Sequence, residues 1–387
     1  MSRTGIVTSS RVNSSAVRNK KQKSFFDYSL LFMMIFIICF GLVVLYSAST
    51  YECQMKYGDP KYYLMQQIKA LIMGFVAMGI IVYFVNYRIL KFNLFAIGIY
   101  IISMFIAMLV LTPLGVEANG AKRWISVGMS VQVCEIVKVG LIIFMAYYLN
   151  KYGSKIKDVV SFIKALGCVA LPAGVIAVFT SDLSSAIVIA GIGSVMIFIT
   201  FPKMKYFLIL LGMGVGLVAV AILAMPYRMK RVRVWLNPKK YGEDGGYQVL
   251  QSLYSLASGG LFGKGLGKGV QKLGYVPEAQ NDMIFTVICE ELGIIGGIAV
   301  IFMFVFMIYR LWVVSVNAPD LFGSLLVIGV MAHISIQTII NIAVVTNTMP
   351  NTGVPLPFLS YGGTSILCLL LEMALVFSVS KRTGVTK

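Results

Sequence analysis

The stretch RMKRVRVWLNPKKYGEDGGYQVLQSLYSLASGGLFGKGLGKGVQKLGYVPEAQND, from Arg228 to Asp282, decides how this chain is read. It is polar, basic and rich in glycine, and it ends in an acid at the mouth of an apolar run. On either side of it, apolar runs recur at about the 20 residues needed to cross roughly 30 Å of hydrocarbon, joined by short connections. A chain that places so long a segment outside a membrane is expected to use it for chemistry or for holding a ligand.

Composition agrees. The hydrophobic share is 58%, only 12% of residues are charged, and the mean hydropathy is +0.86. A soluble chain carries about a quarter charged residues. The reading is an all-α polytopic membrane protein. Ten transmembrane helices are expected at about 26–48, 65–86, 93–113, 131–150, 159–180, 183–201, 206–227, 283–309, 321–345 and 363–380. The large loop 228–282 then lies between helices seven and eight, and 1–25 and 381–387 form two tails. The tail 1–25 is basic and contains no acid. Nothing in it reads as a cleavable signal, because the apolar stretch that follows is too long for a signal core.

Lysine and arginine set the orientation. With the N-terminus inside, the inner segments hold seventeen basic residues, among them Arg88, Lys151, Lys203, Arg310 and Lys381. The short outer loops hold four: Lys56, Lys61, Lys122 and Arg123. Both termini are therefore expected in the cytoplasm. The large loop is basic but long, and long loops translocate largely regardless of charge. It reads as a solvated basic face or as a landing site for anionic headgroups or a diphosphate.

Cysteine and histidine exclude little else. Of Cys39, Cys53, Cys134, Cys168, Cys289 and Cys368, only Cys53 is expected to be exposed, with no partner and no metal-ligand spacing. The sole histidine, His333, lies inside a span, so a histidine-based zinc site is not expected.

Ionisable groups within a bilayer are costly and usually functional. Glu135 and Lys138 are three residues apart on one helical face, either bracing the bundle or walling an interior cavity. Asp182 falls in a very short outer connection and reads as the N-cap of helix six. Glu290 and Glu291 follow Asp282 at a depth of roughly 12 Å, and at least one is expected to pair with a neighbouring helix. Lys69, Lys164, His333 and Glu372 read as lone structural polar groups. The glycines of Gly259–Gly267 suit close approach of backbone to a ligand or mere flexibility, and the order of residues is not that of a P-loop. The segment Pro350–Thr364 resists regular helix and reads as a re-entrant wall or a surface loop.

Together, Gly120–Ile125, Gln132–Lys138, Asp182-Leu183, Gln251–Lys272, Pro277–Ala279, Glu290–Gly293 and Pro357–Gly363 resemble the SEDS family (shape, elongation, division and sporulation proteins) of bacterial cell-wall glycosyltransferases. They run in family order across residues 25 to 380. The stretch Tyr247 to Glu278 is more similar to the division and sporulation branch (FtsW and SpoVE) than to the elongation branch (RodA). The resemblance implies a ten-helix fold that polymerises lipid II, the undecaprenyl-diphosphate disaccharide-peptide. It implies that Asp282 is the essential carboxylate and a general base. It also carries over Glu135, Lys138, Asp182, Lys122 and Arg123, with Lys264 and Gln248 of the loop, as substrate-binding or cavity residues. Basic loop residues or a divalent cation, Mg or Mn, would steady the leaving diphosphate, although no metal ligand set is identified. Implied partners are lipid II, a class B penicillin-binding protein and other division proteins in the membrane; nucleic acid is not expected. A lipid II flippase and a division scaffold are the alternative functions. Three neighbours depart from the family pattern: Gln280-Asn281 replace His-Thr, Val133-Cys134 replace Pro-Ser, and Ser181 replaces a proline.

Overall fold

Uninterrupted apolar runs give helices, because a backbone surrounded by hydrocarbon must satisfy its own hydrogen bonds. In the computed structural model, which describes residues 26–118, 121–127, 129–153, 159–201, 203–242 and 245–383, they become α1 (Tyr28–Tyr57), α2 (Tyr62–Phe84), α3 (Asn93–Met108), α4 (Val133–Tyr152), α5 (Val159–Phe179), α6 (Leu183–Thr200) and α7 (Met204–Leu223). Two short helices, α8 (Pro226–Leu236) and α9 (Gly246–Gly259), precede α10 (Ile284–Val316), α11 (Leu321–Val345) and α12 (Gly363–Ser380). Among the described residues ten helices are long and apolar enough to cross a membrane, as expected. The tail 1–25 and the loop acids Glu243 and Asp244 lie outside the described residues.

The helices α4, α11 and α12 form the interior, and α7 buries nothing. Around them, α2 packs on α12, α3 on α4, and α6 on both α4 and α11. Aspartates cap three helices. Asp27 accepts from Leu30 N, Asp182 from Ser185 N, and Asp320 from Gly323 N, each supplying an acceptor that the helix start lacks. At one end of the bundle, Asp27 also pairs with Arg310 at 2.7 Å, and its N–H donates to Ser380. Tyr87 and Arg88 both reach Asp320 there. The segment 226–282 occupies the opposite end with the other long connections.

The structure corrects several expectations. The outer connection after α3, expected only as a short loop, has regular structure. It forms an antiparallel meander of β1 (Gly115–Ala118), β2 (Ala121–Val127) and β3 (Met129–Gln132). Thr364 docks this sheet on the start of α12, donating to Ser130 O and accepting from Gln132 N. The first helix runs on to Tyr57, so Cys53 is buried rather than exposed. Arg310 lies within α10, not in a loop. His333 and Glu372 are not lone groups: His333 Nδ1 meets Glu372 Oε2 at 2.8 Å. Lys69 and Lys164 are exposed on α2 and α5.

The glycine-rich segment does not wait open for a ligand. It is clamped against α10. Lys264 N donates to Glu290 O and Gly265 N to Glu291 O, while Ile294 N and Ile295 N donate back to Gly260 O and Leu261 O. A methyl group at Gly263, where φ is +79°, would sit 2.2 Å from Glu291 O. The helix itself breaks at Gly293, with φ 72° and ψ −170°, and its backbone turns toward the loop there. Only glycine serves at both positions, because any Cβ would overlap the facing backbone.

Candidate active site

Asp282 stands two residues before α10 and is 7% exposed. Its carboxylate Oδ1 has no hydrogen-bond partner. Burial and, next, the negative charge of Glu278 push this carboxyl up to about 7, opposed by the guanidinium of Arg231. An acid held there titrates near neutrality, where a general base works best.

The organiser of the site is the connection between α11 and α12, expected as a re-entrant wall or a surface loop. Each residue from Asn351 to Pro355 reaches a different polar group. Asn351 donates from Nδ2 to Gln248 Oε1 at 2.8 Å, and its carbonyl accepts from Arg231 Nη1 at 3.0 Å. Ser184, two residues past Asp182, donates to Thr352 O at 2.8 Å. Gly353 faces Asp282 Oδ2. Asn341 Nδ2 donates to both Val354 O and Asp282 O, at 2.8 and 2.7 Å. Gln337 Nε2 donates to Pro355 O at 2.9 Å. Non-helical backbone at this depth is tolerated because helix side chains satisfy its carbonyls.

Gln337 leads inward. Its Oε1 accepts from Lys138 Nζ at 3.0 Å and lies 2.7 Å from His333 Nε2. Lys138 also pairs with Glu135 at 2.7 Å, as the spacing of three predicted, and both are buried. Gln280, just before the catalytic candidate, is buried and accepts at its carbonyl from Tyr361 N.

The sequence-predicted residues therefore divide. Gln248, Asp282 and, through Gln337, Lys138 connect to this one segment; Glu135 joins it through Lys138 and Gln337, and Asp182 caps the helix whose Ser184 donates to it. Arg123 on β2 lies 4.0 Å from Asp182, too long for a hydrogen bond, and its Nε is buried without a partner. Lys122 is exposed beside it. Lys264 does not join them: its Nζ pairs with Glu290 at 2.7 Å, and Lys272 pairs with Glu291 at 2.5 Å and with Ser47. The two acids are thus answered by loop lysines, and Glu291 also accepts from Ser47 of α1, the pairing with a neighbouring helix that was expected. A cleft of about 320 Å³ opens along α8, lined by Met229, Lys230, Arg233 and Tyr241.

Sequence reasoning missed Arg231, Gln337, Asn341 and Asn351. Gln337 and Asn341 carried a usable signal, being amides one turn apart in an otherwise apolar run. Arg231 was hidden among equivalent basic residues. Among the described residues, buried polar atoms without a partner include Asp282 Oδ1, Gln280 Oε1, Thr352 Oγ1, Glu135 Oε2 and Arg123 Nε. Such atoms are rare in folded interiors, and Thr352 Oγ1 with Asp282 Oδ1 places two of them at the segment and the acid it faces. No group of three histidine, cysteine, aspartate or glutamate residues that would hold a metal occurs among the described residues.

Comparisons with known proteins follow the same lines. The family model FTSW_RODA_SPOVE, described as cell cycle protein, matches residues 28–384. Stage V sporulation protein E of Bacillus subtilis strain 168 is 36% identical over 361 residues, covering 92% of this chain and 97% of that one. A probable peptidoglycan glycosyltransferase FtsW of Geobacter sp. strain M18 is 36% identical over 367 residues, with the same coverage of 92% and 97%. Among solved structures, a chain of a peptidoglycan synthase complex superposes with a TM-score of 0.77 at 26% identity, covering 92% of this chain and 97% of its own. The rod shape determining protein RodA of Thermus thermophilus gives 0.68 at 26% identity, covering 93% and 98%.

Proposed function

This chain belongs to the FtsW, RodA and SpoVE family of cell cycle proteins, and from that premise we propose that Asp282 is the base that drives its glycan-strand synthesis. The chain is a peptidoglycan glycosyltransferase, a multi-pass protein of the bacterial membrane. The observation that carries the assignment is the isolation of Asp282: buried, with a free carboxylate oxygen, on the rim of the bundle beside Arg231.

In this reading Asp282 takes the proton from the acceptor sugar hydroxyl as that oxygen attacks the anomeric carbon of the donor. The bond to the lipid diphosphate breaks, and the diphosphate leaves with the electron pair. Arg231 is held by Asn351 O and Tyr227 OH beside the base, placed to balance the developing charge. Arg123 with Lys122, and the cationic cleft of α8, offer further contacts for the diphosphate. A divalent cation, Mg or Mn, would be held by Asp282 and Glu278, since such ions take one or two carboxylates and keep much of their hydration. Bound there, it would supply charge neutralisation to the leaving group. Glu135 and Lys138 wall the interior below, joined to the rim through Gln337.

The substrate in this proposal is lipid II. The loop end faces outward and both termini lie in the cytoplasm, supported by the excess of lysine and arginine at the other end. A class B penicillin-binding protein crosslinking the product would be the working partner, within the division or sporulation machinery. The test uses the chain purified with that partner and supplied with lipid II. Glycan polymer is expected from the native chain and none from Asp282→Ala. Equal product from both would overturn the assignment, and lipid translocation in liposomes that persists in the variant without any polymer would favour a flippase.

A further inference from the structure

The loop end carries a cluster of tyrosines that the proposed chemistry does not use. At 1.5 Å per residue, α1 is about 45 Å long. Counted from its inner cap at Asp27, roughly 30 Å of hydrocarbon ends near Ala48, so the last turns of α1 extend past the hydrocarbon. They lean on the loop that ends in Asp282. The Tyr51 ring lies against Gly274, and Lys56, paired with Glu52, is within electrostatic reach of Glu278.

At the tip, the Tyr57 ring stacks on Tyr62, with centroids 4.0 Å apart and planes 16° apart. Tyr63 abuts both edge-on, at 5.7 and 5.8 Å, and its own ring meets Tyr361 at 4.6 Å. Tyr361 N is hydrogen-bonded to Gln280 O, two residues from the base. An unbroken row of rings therefore leads from the catalytic rim to Tyr57, which is 48% exposed. An aromatic belt at a membrane surface would lie at headgroup level. This row does not stop there: it runs from the α1 and α2 ends back to Gln280 beside Asp282.

We infer that the row formed by Tyr361, Tyr63, Tyr62 and Tyr57 is a binding platform for the growing glycan strand. The inference rests on the glycosyltransferase reading. A pyranose ring shows an apolar face of C–H groups and an equatorial rim of hydroxyls. Tyrosine matches both, with a flat ring and a phenolic hydroxyl, and it loses little conformational entropy when it binds. Linked amino-sugars emerging from Asp282 would lie along the row, ring on ring, and stay attached between additions.

The experiment replaces Tyr57 and Tyr62, which take no part in the proposed chemistry, with leucine pairwise and with phenylalanine pairwise. The probe is a fluorescent tetrasaccharide of N-acetylglucosamine, bound to the purified protein in nanodiscs. The leucine pair should weaken binding about tenfold, the ordinary worth of two aromatic contacts. It should also shorten the strands made from lipid II at an unchanged initial rate. The phenylalanine pair should do neither, and Asp282→Ala should bind the probe as the native chain does. Native-like binding by the leucine pair would overturn the platform in favour of a membrane anchor. A phenylalanine pair as weak as the leucine pair would overturn ring stacking. Loss of the probe in Asp282→Ala would place binding at the catalytic rim instead. The binding arm requires no turnover, so its failure is distinct from failure of the chain to polymerise.

Discussion

One side-chain nitrogen ties the proposed base to its enclosing loop: Nδ2 of Asn341 donates to the backbone carbonyl of Asp282 at 2.7 Å while also donating to Val354 O at 2.8 Å. The amide sits within α11, one of the most buried helices, so a rigid element sets the position of a residue that belongs to a long connection. Replacing Asn341 with leucine leaves two carbonyls without that donor. Each costs about 1–3 kcal/mol when buried. The expected outcome is a lower melting temperature together with a fall in kcat of at least about tenfold, as a shifted base loses its alignment. Thermal unfolding in detergent and initial polymerisation rates measure the two effects separately.

The base itself gives the largest effect. General-base catalysis contributes roughly 10²–10⁴-fold, so Asp282→Asn is expected to lower polymerisation by that order. Binding of the lipid substrate should change far less. Single-turnover assays on radiolabelled lipid II separate the two.

Activity should also follow the ionisation of Asp282. Its carboxyl is pushed up to about 7, so the rate should rise with pH through neutrality as the proton leaves. Glu278 raises the value and Arg231 lowers it. Glu278→Gln should therefore move the rising limb to lower pH, and Arg231→Gln should move it to higher pH. A pH–rate profile of each variant reads the displacement. Opposite movements would refute the electrostatic account of the site.

Stability should move the other way with pH. Between about 4, the ordinary carboxylate value, and about 7, the folded protein keeps a proton that the unfolded chain has released. The stability this gives is fully present below the lower limit and is lost as pH rises through the upper one. Asp282→Asn removes the cost of ionising a buried group, so its melting temperature should exceed that of the native chain, more at pH 8 than at pH 5. Catalytic residues often carry such a cost.

The lysines of the glycine-rich clamp should affect stability alone. Lys272 and Glu291 are both buried, and removing one partner of such a pair costs about 3–5 kcal/mol because the other charge is left uncompensated. Lys272→Met is expected to be strongly destabilising, and Lys272→Met with Glu291→Gln to recover much of the loss. Substrate affinity, measured on whatever folds, should be the same in both. A selective loss of lipid II binding would return these lysines to the substrate.

The membrane-spanning character of the chain was legible in its sequence, since the need to bury every backbone polar group in hydrocarbon leaves a period and a length that a single run of residues displays. The expected limits of the ninth and tenth spans, 321–345 and 363–380, coincide with α11 and α12. The pairing of Glu135 with Lys138 followed from helical spacing, and the Asp182 cap from a short connection, because both are local geometry. What the sequence could not determine was where the free cations go. Lys264, Lys272 and Arg231 are equivalent on paper, and only folding sends two of them to Glu290 and Glu291 and sets the third beside Asp282. Nor does a run of prolines and glycines announce that Asn351 to Pro355 would gather Arg231, Gln248, Ser184, Asn341 and Gln337. The contacts of Arg231, Gln248 and Ser184 with that segment span more than a hundred positions and depend on which helices pack together, and packing is decided by shape and burial over the whole chain rather than by any one segment.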